Sequence, residues 1–511
     1  MKKIKRALIS VSDKKNLRFL IKNLSKFKIK FLSSGGTYRK IKRMGFECEE
    51  VSKYTKSAEI LSGRVKTLHP KIHAGIMSIR KSKSHRDELK KQNYNEIDLV
   101  IVNFYPFEKT ISQKKNHSKI IENIDIGGPT MVRAAAKNYH DVTVITNISQ
   151  YEHLIKNINQ NKGGTSLEFR KKAASLAFGE TAYYESLIYN YFNNNSSNKF
   201  PKKIVLGFDR IEKLRYGENP HQEGAIYSSK DLGLEKLNGK QLSFNNYSDI
   251  FAALEISKTF PRGKGTVIIK HGNPCGISVH NNNIESFMLA HKCDPISAFG
   301  GIVSCNFQIN KTLATQLNKL FFEVIIANGF DKNALSILKR KKNVRLIDSK
   351  SYKISNGNNL ISNMTFALSQ DPDIKKFKNN DFKIVSKVKP SKKTFQNLIF
   401  AFNVCRFVKS NAIVLTNEKS TVGIGSGQSS RLDSCDVAIK KMNKFHDISN
   451  KEILAASDAF FPFVDGIEKL VQNGISGIIQ PHGSIRDKEI VNFANKTGTI
   501  LIFTKTRHFK H

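Results

Sequence analysis

The chain has 511 residues, of which 39% are hydrophobic, and carries 84 Lys and Arg against 43 Asp and Glu, a formal net charge of +41. This length predicts about three domains, each large enough to bury a core, and excludes a largely disordered chain. The longest apolar stretch, residues 453–464, is interrupted by Asp458 and is shorter than the roughly 18 residues that a membrane span requires. We therefore expect no membrane-spanning segment and no membrane partner.

The N-terminus and the cysteines bear on the cellular compartment. Residues 2–6 are basic like the start of a signal peptide, but the apolar stretch after them ends at Ser10 and polar residues follow, so we expect no export signal. Six cysteines are scattered without paired spacing, which argues against a disulfide framework and a structural zinc site. These features predict a protein of the reducing cytoplasm.

The net charge of +41 allows two interpretations. A strongly basic chain is typical of nucleic-acid-binding proteins, which usually concentrate their charge in blocks. Here lysine is spread along the whole chain among abundant asparagines, which favours a generally basic, solvated surface that attracts anionic substrates and binds no specific nucleic acid. A basic protein that keeps an enzyme fold but binds nucleic acid is the alternative.

The first part of the chain alternates short apolar runs with amphipathic helical segments. Such runs between helical spacers predict the parallel strands of a doubly wound α/β sheet, whose ligands lie at the carboxyl ends of the strands. The predicted strands cover residues 7–11, 29–32, 99–104 and 142–145. A long helix is predicted over 166–192, and the Asn-rich stretch 193–198 is the predicted linker.

Beyond the linker, further apolar runs predict a second α/β assembly in two lobes. Its predicted strands include residues 267–269, 301–304, 324–326, 412–415, 477–479 and 500–503. A charged stretch from 349 to 393 is the expected join between the lobes, and the sequence shows no internal repeat. The predicted domains are therefore residues 1–198, with a core of about 1–150, then 199–370 and 371–511.

Two short loops of the first domain have the composition of a phosphate site. Residues 33–37, SSGGT, follow a predicted strand and precede a helix, so backbone N–H groups, hydroxyls and the helix dipole would all favour an anion. Ser12 and Lys14 repeat this arrangement after the first strand. A tight turn with a helix cap is the open alternative.

Three further segments of this domain carry groups suited to proton transfer without metal. Residues 63–70, GRVKTLHP, predict a loop with a partly buried Lys66, a setting that lowers the pKa of a lysine, and a proline that stops a helix. Tyr105 follows a predicted strand, and Asp125 precedes an Ala-rich helix that contains Lys137. Surface charge and a capped basic helix are the alternatives.

In the second half, residues 270–276, KHGNPCG, place Lys270 beside His271 in a predicted loop. A zinc deaminase needs H-x-E followed by P-C-x-x-C, but position 273 is Asn and position 278 is Ser, so the metal interpretation fails. What remains is an oxyanion stabiliser beside a general base. Residues 423–428, GIGSGQ, lack the last glycine of a dinucleotide loop, which disfavours a dehydrogenase.

Together these segments resemble the bifunctional purine-biosynthesis enzymes that join phosphoribosylaminoimidazolecarboxamide (AICAR) formyltransferase to inosine monophosphate (IMP) cyclohydrolase. The resemblance runs from about Ala7 to His511 and rests on many motifs in order: SSGGT at 33, GRVKTLHP at 63, NFYPFE at 103, IDIGGPTMVRAAAKN at 124, RYGENPHQ at 215, KHGNPCG at 270, CDPISAFGG at 293, FVKSNAI at 407, SDAFFPF at 457, QPHGSIRD at 480 and RHFKH at 507. It implies a methylglyoxal-synthase-like N-terminal domain followed by a transformylase of two cytidine-deaminase-like lobes without catalytic zinc.

The resemblance implies the last two steps of de novo IMP synthesis. These are formyl transfer from 10-formyltetrahydrofolate to the 5-amino group of AICAR and dehydrative closure of formyl-AICAR to IMP. The implied catalytic residues are Lys66, Tyr105, Asp125 and Lys137 for cyclisation, and Lys270 and His271 for formyl transfer. The implied substrate-binding residues are Ser12, Lys14, Ser34, Gly36, Thr37, Arg64, Thr67, Arg215, Tyr216, Asn411, Arg431, Phe460, Asp465, Arg507 and Phe509.

The resemblance also implies a homodimer with transformylase sites at the subunit interface, and no required metal. One departure concerns the Lys-Asn-His that usually ends the AAAKN motif. Here the sequence continues as Lys137, Asn138 and Tyr139, with His140 one place later, so the resemblance assigns no role to that histidine. The segment after the last predicted strand, with Arg507 and Phe509, is expected to reach the AICAR site.

Overall fold

The computed structural model describes residues 1–113, 116–194, 199–355, 357–363 and 365–511. The chain divides into two units, Met1–Phe208 and Asp209–His511. Of the predicted linker, residues 193 and 194 end a long helix and residues 195–198 lie outside the described part. No helix in the described residues is long and apolar enough to cross a membrane.

The first unit contains seven strands and ten α-helices among its described residues. Its strands are β1 Lys2–Lys3, β2 Arg6–Val11, β3 Lys30–Ser33, β4 Glu49–Glu50, β5 Leu99–Asn103, β6 Thr143–Ile145 and β7 Gly164–Thr165. Its helices are α1 Leu17–Ser25, α2 Gly35–Arg43, α3 Val51–Thr55, α4 Pro70–Met77, α5 Lys83–Lys91, α6 Phe107–Ser112, α7 His117–Glu122, α8 Gly127–Lys137, α9 Tyr151–Gln160 and α10 Leu167–Asn194.

The sheet of the first unit is parallel and has the order β4-β3-β2-β5-β6. Along β2, Ala7 and Ile9 pack into one core and Leu8 into another, because successive side chains of a strand point to opposite faces. Helices α1 and α9 cover one face, whereas α4, α8 and α10 cover the other. The predicted doubly wound parallel sheet is confirmed.

The second unit contains sixteen strands and nine α-helices among its described residues. Its strands are β8 Asp209–Lys213, β9 Ala225–Ser228, β10 Glu235–Asn238, β11 Gly265–Lys270, β12 Asn273–Val279, β13 Ile302–Cys305, β14 Val324–Ala327, β15 Arg345–Asp348, β16 Asn359–Ser362, β17 Ala367–Gln370, β18 Phe382–Ile384, β19 Ile413–Asn417, β20 Ser420–Gly425, β21 Ile453–Ser457, β22 Ile475–Pro481 and β23 Ile500–Thr504. Its helices are α11 Phe244–Ser257, α12 Asn283–Cys293, α13 Pro295–Ala298, α14 Lys311–Lys319, α15 Lys332–Leu338, α16 Lys392–Cys405, α17 Arg431–Phe445, α18 Asp465–Gln472 and α19 Asp487–Thr497.

A 12-stranded mixed sheet of order β10-β15-β14-β13-β11-β12-β20-β19-β21-β22-β23-β18 runs through this unit. Its two halves have the same topology. In each half, a helix is followed by an antiparallel hairpin, then by another helix, and then by three parallel strands. An antiparallel strand forms the outer edge of each half. The halves meet where Ser278 pairs with Ser420. The structure thus contains a duplication that the sequence alone does not show.

Two glycines let helices pack directly on the central strands. A Cβ on Gly276 of β12 would lie 1.8 Å from the carbonyl oxygen of Ala290, and one on Gly425 of β20 would lie 1.9 Å from that of Ser434. Neither position can accept a side chain, because both contacts are with helix backbone. In the GIGSGQ segment, Gly425 and also Gly423, whose added Cβ would lie 2.2 Å from the carbonyl oxygen of Ala438, therefore serve helix–sheet packing.

One local expectation is corrected and another is made narrower. Pro70 occupies the first position of α4, where the missing N–H costs nothing, so this proline starts a helix instead of stopping one. The stretch from 349 to 393 contains the β16–β17 hairpin and also β18, which pairs with β23 of the second lobe. The join between the lobes is therefore narrower than the charged stretch.

Candidate active sites

The N-terminus of α2 forms an anion cradle at the carboxyl end of the parallel sheet. Ser34 caps the helix without a side-chain hydrogen bond, and the first N–H groups of a helix have no intrahelical partner. A Cβ on Gly36 would lie 3.8 Å from Lys14 Nζ, and one on Gly35 would lie 3.4 Å from Lys66 Nζ. Two ammonium groups thus flank a helix terminus that already favours anions.

The loop after β2 is fastened to the end of β5. Asn103 Oδ1 accepts hydrogen bonds from the backbone N–H of Ser12 at 2.5 Å and of Asp13 at 3.0 Å. The ammonium of Lys14 donates to the carbonyl oxygens of Val11 and Ser12. Asn103 begins the NFYPFE motif but was not among the predicted site residues; its position at a strand end was the available signal.

Thr37 contributes differently from the prediction that its hydroxyl helps to bind the phosphate. The Thr37 side chain is buried, and its Oγ1 donates to the carbonyl of Val11 at 3.0 Å while accepting from the Val11 N–H at 3.1 Å. The hydroxyl is therefore committed to joining α2 to β2. What Thr37 presents to an anion is its backbone N–H in the first turn of α2.

The loop 63–70 brings a half-buried lysine to the cradle. Lys66 is 29% exposed, and its Nζ lies 3.4 Å from Glu59 Oε2. Arg64 is exposed and pairs with Glu122, donating from Nε to Oε1 at 3.2 Å. Such an exposed pair is weak, so it does not fix the position of Arg64.

Asp125 is a partly buried carboxyl group two residues before α8. Its Oδ1 accepts from the N–H of Gly128 at 2.8 Å, and the carboxyl also accepts from the backbone N–H of Tyr105. Burial outweighs these bonds and raises the pKa of Asp125. A Cβ on Gly127 would lie 2.7 Å from Thr67 Oγ1, so the loop that carries Lys66 touches this turn.

Lys137 is not brought to this cluster. It is the last residue of α8, whereas Asp125 precedes the first residue of that helix, and eleven helical residues span roughly 15 Å. Lys137 lies toward the amino ends of the strands and lines a separate cavity with Met77, Ile79 and His140. Within this chain Lys137 does not lie beside the other three groups, because the helix runs away from them; its role in cyclisation stays a prediction.

In the second unit, His271 and Gly272 form the two-residue turn of the β11–β12 hairpin. Both have positive φ, 51° and 72°, as a type I′ turn requires. Asp249 of α11 holds the turn by accepting from the N–H of His271 at 3.3 Å and of Gly272 at 2.7 Å. The His271 side chain is exposed, and Lys270 Nζ donates to the carbonyl of Phe299 at 2.5 Å.

A cavity of about 810 Å³ opens at the carboxyl ends of β21, β22 and β23. This is large enough for a nucleotide. Six of the predicted binding residues line it, namely Asn411, Arg431, Phe460, Asp465, Arg507 and Phe509. The guanidinium carbon of Arg507 lies 4.6 Å from the ring centroid of Phe509, which forms a cationic and aromatic wall.

The guanidinium of Arg431 is held in place by a buried carboxylate. The Arg431 Nη1 forms an ion pair with the fully buried Asp458 and donates to Ser457 Oγ at 2.9 Å. Its Nη2 donates to Asn411 Oδ1 at 2.8 Å, which fixes the orientation of that amide. Asp458 lies inside the SDAFFPF motif, yet sequence reasoning did not single it out, because burial of a charge is a tertiary property.

The C-terminal segment is packed into the unit. The ring of His508 is buried and its Nδ1 lies 2.5 Å from Asp373 Oδ2, while the His508 N–H donates to the carbonyl of Asp458 at 2.9 Å. The carbonyl of Lys510 accepts from the N–H of Ser410. His508 therefore holds the tail, and the exposed Arg507 faces the cavity.

Arg215 and Tyr216 lie apart from this cavity. The guanidinium of Arg215 sits 5.1 Å from the Tyr216 ring centroid, and the Tyr216 carbonyl accepts from the N–H of Phe244 at the start of α11. Lys270 and His271 do not line the cavity either. The predicted transformylase residues thus fall into two groups in one chain, one in each lobe.

A doubly wound domain with an anion cradle, followed by a duplicated sheet with a nucleotide-sized cavity, defines a two-site α/β enzyme acting on phosphorylated substrates. A family model for the AICARFT/IMPCHase bienzyme matches residues 135–441, and a model for the MGS-like domain matches residues 16–130. The chain belongs to the family of AICAR formyltransferase and IMP cyclohydrolase bienzymes. It is a bifunctional enzyme of the final steps of IMP synthesis.

Relatives with the name bifunctional purine biosynthesis protein PurH match along their whole length. The protein of Persephonella marina is 43% identical over 99% of this chain and 100% of its own. That of Acetivibrio thermocellus is 41% identical over 99% and 100%, and that of Leptospira biflexa serovar Patoc is 43% identical over 100% of both chains.

Proposed function

We propose that the two reactions are divided between the two units. The cradle around α2, Lys66 and Asp125 carries out the ring closure, and the second unit carries out the formyl transfer. The observation that carries this proposal is that the two sets of residues lie in separate units, Met1–Phe208 and Asp209–His511. We propose functional segments 1–198, 199–370 and 371–511, with residues 199–208 packed on the first.

For ring closure, the phosphate of formyl-AICAR binds at the N–H groups of α2, with the ammonium groups of Lys14 and Lys66 beside it. Ser12, Ser34 and Gly36 shape this cradle, and Arg64 and Thr67 reach the substrate from the adjoining loop. The carboxamide nitrogen attacks the formyl carbon, and Asp125 accepts the proton that this nitrogen loses. Tyr105, exposed just after β5, donates a proton to the formyl oxygen, which gives a carbinolamine. Its hydroxyl then leaves as water with the proton held by Asp125, while the remaining N–H proton of the former formamido nitrogen returns to the Tyr105 oxygen.

For formyl transfer, AICAR occupies the 810 Å³ cavity at the carboxyl ends of β21, β22 and β23, here called the lobe-two cavity. Its phosphate binds Arg507. The 5-amino nitrogen attacks the formyl carbon of 10-formyltetrahydrofolate, and Lys270 stabilises the oxyanion that develops. His271 takes the amine proton and returns it to the departing N10 of the folate. Asp465 contacts the folate, and Arg215 and Tyr216 contact AICAR. No step requires a metal ion.

We propose that the working enzyme is a homodimer in which one chain supplies Lys270 and His271 to the cavity of the other. In strand order, β11 and β21 are four places apart, roughly 19 Å at ~4.8 Å per strand. An ammonium at the end of β11 is therefore not beside a ligand held at β21 of the same chain, although the hairpin reaches the segment before β19, where Asn273 Oδ1 accepts from the N–H of Lys409 at 3.3 Å. This separation supports completion of the site by a second copy.

A mixture of two impaired variants tests the dimer, with AICAR held well below the raised apparent KM of Arg507→Ala. His271→Ala and Arg507→Ala each damage a different half of the site, so mixed dimers of the two contain one site with both substitutions and one with neither. We expect formyl transfer to return after the variants are unfolded and refolded together. Absence of any recovery, with each variant folded, would contradict a shared site.

Turnover assays test the division of labour. Incubated with AICAR and 10-formyltetrahydrofolate, the protein is expected to produce IMP. Lys66→Ala should accumulate formyl-AICAR, and His271→Ala should make none while still closing supplied formyl-AICAR. If Lys66→Ala forms IMP at the wild-type rate, Lys66 has no part in cyclisation.

The compartment and the role of the charge remain part of this proposal. All six cysteines lie in the described residues and none forms a disulfide, which fits a reducing cytoplasm. We expect binding to DNA to be weak, indifferent to sequence and steeply salt-dependent. Tight, sequence-selective binding at physiological salt would favour the nucleic-acid alternative.

A further inference from the structure

A second cavity of the transformylase unit lies where its two lobes meet. It has a volume of about 550 Å³, within the range of small-molecule sites. Lys264, just before β11, lines it, whereas Lys270 and His271 lie at the other end of that strand, roughly 20 Å away at ~3.3 Å per residue. A ligand of this cavity cannot be the ligand of the formyl-transfer site.

The walls of this lobe-junction cavity are basic. Five lysines and three carboxylates line it, and one lysine pairs with one carboxylate, Lys393 with Glu418 at 2.5 Å. The other four lysines form no ion pair among the described residues; they are Lys264, Lys292, Lys419 and Lys451. Each lobe contributes two of these lysines, so four positive charges come together only where the two lobes meet. Asp447 in the same wall lies close enough to Lys292 and Lys451 to offset part of their charge. Four unpaired ammonium groups against two unpaired carboxylates still favour a multiply charged anion.

A buried amide in the wall has no partner within the protein. Asn397 of α16 is 3% exposed and lines the cavity, yet its Nδ2 makes no hydrogen bond. A buried donor without an acceptor is costly, and such groups are rare in native structures. An acceptor atom of a ligand would satisfy it.

An unpartnered acceptor lies in the same wall. His446, after the last residue of α17, bonds the backbone carbonyl of Lys292 through its ring, and its Nε2 is buried without a partner. Burial, followed by the charges of Lys292 and Lys451, lowers the pKa of His446 to about 4. The ring is therefore neutral at pH 7, and Nε2 is a free acceptor for a hydroxyl group.

We propose that the lobe-junction cavity binds a small phosphate ester that carries hydroxyl groups. The phosphate lies among the four unpaired lysines, an ester or hydroxyl oxygen accepts from Asn397 Nδ2, and a hydroxyl donates to His446 Nε2. This site goes beyond the proposed transformylase and cyclohydrolase sites and uses none of their residues.

Calorimetric titration of the full-length protein with ribose 5-phosphate tests the proposal. Saturating AICAR and IMP are present throughout, so that the two substrate sites are occupied. We expect one further site per chain, no binding of ribose without phosphate, and at least tenfold weaker binding to the double variant Lys292→Ala/Lys451→Ala. The matched control is Lys440→Ala, an exposed lysine of α17 outside the cavity, which should bind as the wild type does.

Asn397→Leu tests the hydrogen bond to the ester or hydroxyl oxygen separately from the binding of the phosphate by the lysines. This variant should weaken ribose 5-phosphate while leaving inorganic phosphate binding, measured in the same way, unchanged. Absence of any additional binding to the wild type would overturn the proposal. Equal affinity for the double lysine variant and for Lys440→Ala would do the same, since the charge would then act from elsewhere.

Discussion

Arg431 and Asp458 form a buried ion pair beneath the lobe-two cavity, and the same guanidinium orients the amide of Asn411. This pair makes Arg431 a positioning group as well as a wall of the cavity. It also explains why Asp458, which lies too deep to touch a ligand, is part of the site. Its removal is therefore informative about the architecture of the cavity.

Asp458→Asn should destabilise the second unit by about 3 kcal/mol, because it leaves the Arg431 charge buried without its partner. The apparent KM for AICAR should rise as Asn411 loses its orientation. Thermal unfolding and transformylase kinetics measure the two effects. Asp436→Asn is the control: its pair with Lys469 is exposed, so the loss should stay below about 1 kcal/mol. Equal losses for the two variants would contradict an energetically important buried pair.

The acid side of the cyclisation pH profile should report Asp125. Burial raises the pKa of this carboxyl above its ordinary value, and a base must be ionised to act. Ring closure of supplied formyl-AICAR should therefore be lost as the pH falls through this raised pKa, at a pH above the usual titration range of an aspartate. Asp125→Asn should lower the rate by roughly 10² to 10⁴ and abolish this limb.

The exposed Asp87 on α5 provides the comparison for that profile. Asp87→Asn should leave both the rate and the acid limb of cyclisation as in the wild type. If the residual activity of Asp125→Asn keeps the same acid limb, another group titrates there and Asp125 is not the base.

Asp249 should act on formyl transfer through the His271 turn. Asp249→Ala frees the two N–H groups that fix this turn, and a displaced base should lower the kcat of formyl transfer by about tenfold. Cyclisation should be unchanged. Asp249→Asn retains one acceptor oxygen and should restore most of the rate, whereas a failure of Asn to rescue would point to a requirement for the charge.

The two neighbouring residues of the tail should have separable effects. His508→Ala removes a buried ring and its bond to Asp373, and should cost about 2 kcal/mol of stability. Arg507→Ala, exposed at the cavity, should raise the apparent AICAR constant without changing thermal unfolding. Deletion of residues 507–511 should therefore both loosen the fold and weaken turnover. Wild-type kinetics after Arg507→Ala would remove Arg507 from the site.

The first unit should work alone, provided that its last segment is kept. Asn190 Nδ2 donates to the carbonyl of Val205 at 2.9 Å, and Tyr189 OH donates to that of Lys203. A fragment of residues 1–208 should convert formyl-AICAR to IMP and unfold at a higher temperature than a fragment of 1–198. A folded 1–208 fragment without cyclohydrolase activity would mean that the site borrows residues from the second unit.

The strands that sequence reasoning located share one property: they are continuous β-branched or Leu-rich runs, such as Val324–Ala327. The strands β12 and β20 were not predicted, although both are central in the sheet. They contain glycine, proline and small polar residues because helix backbones pack against them at Gly276 and Gly425. A close helix–strand contact removes the very side chains that a periodicity search detects.

The site residues also fall into those that local sequence features predict and those that they do not. Motif position predicted the groups around α2 and the lining of the lobe-two cavity, since strand ends and glycine-rich turns are local features. It placed Lys137 with Asp125, which the length of α8 forbids within one chain. It also missed Asp249 and His508, whose importance comes from what they hold at long range in the sequence.

The sequence by itself determined the family, the α/β class, the parallel first sheet and the chemical groups available. Motifs and hydrophobic periodicity depend only on residues that are close together in the chain. Only the tertiary structure decided which groups meet. The duplication of the second unit, the buried anchor under Arg431, the separation of Lys270 from Arg507 and the basic lobe-junction cavity all depend on strand order and burial. These are set by contacts between residues far apart in the chain, which no local pattern encodes.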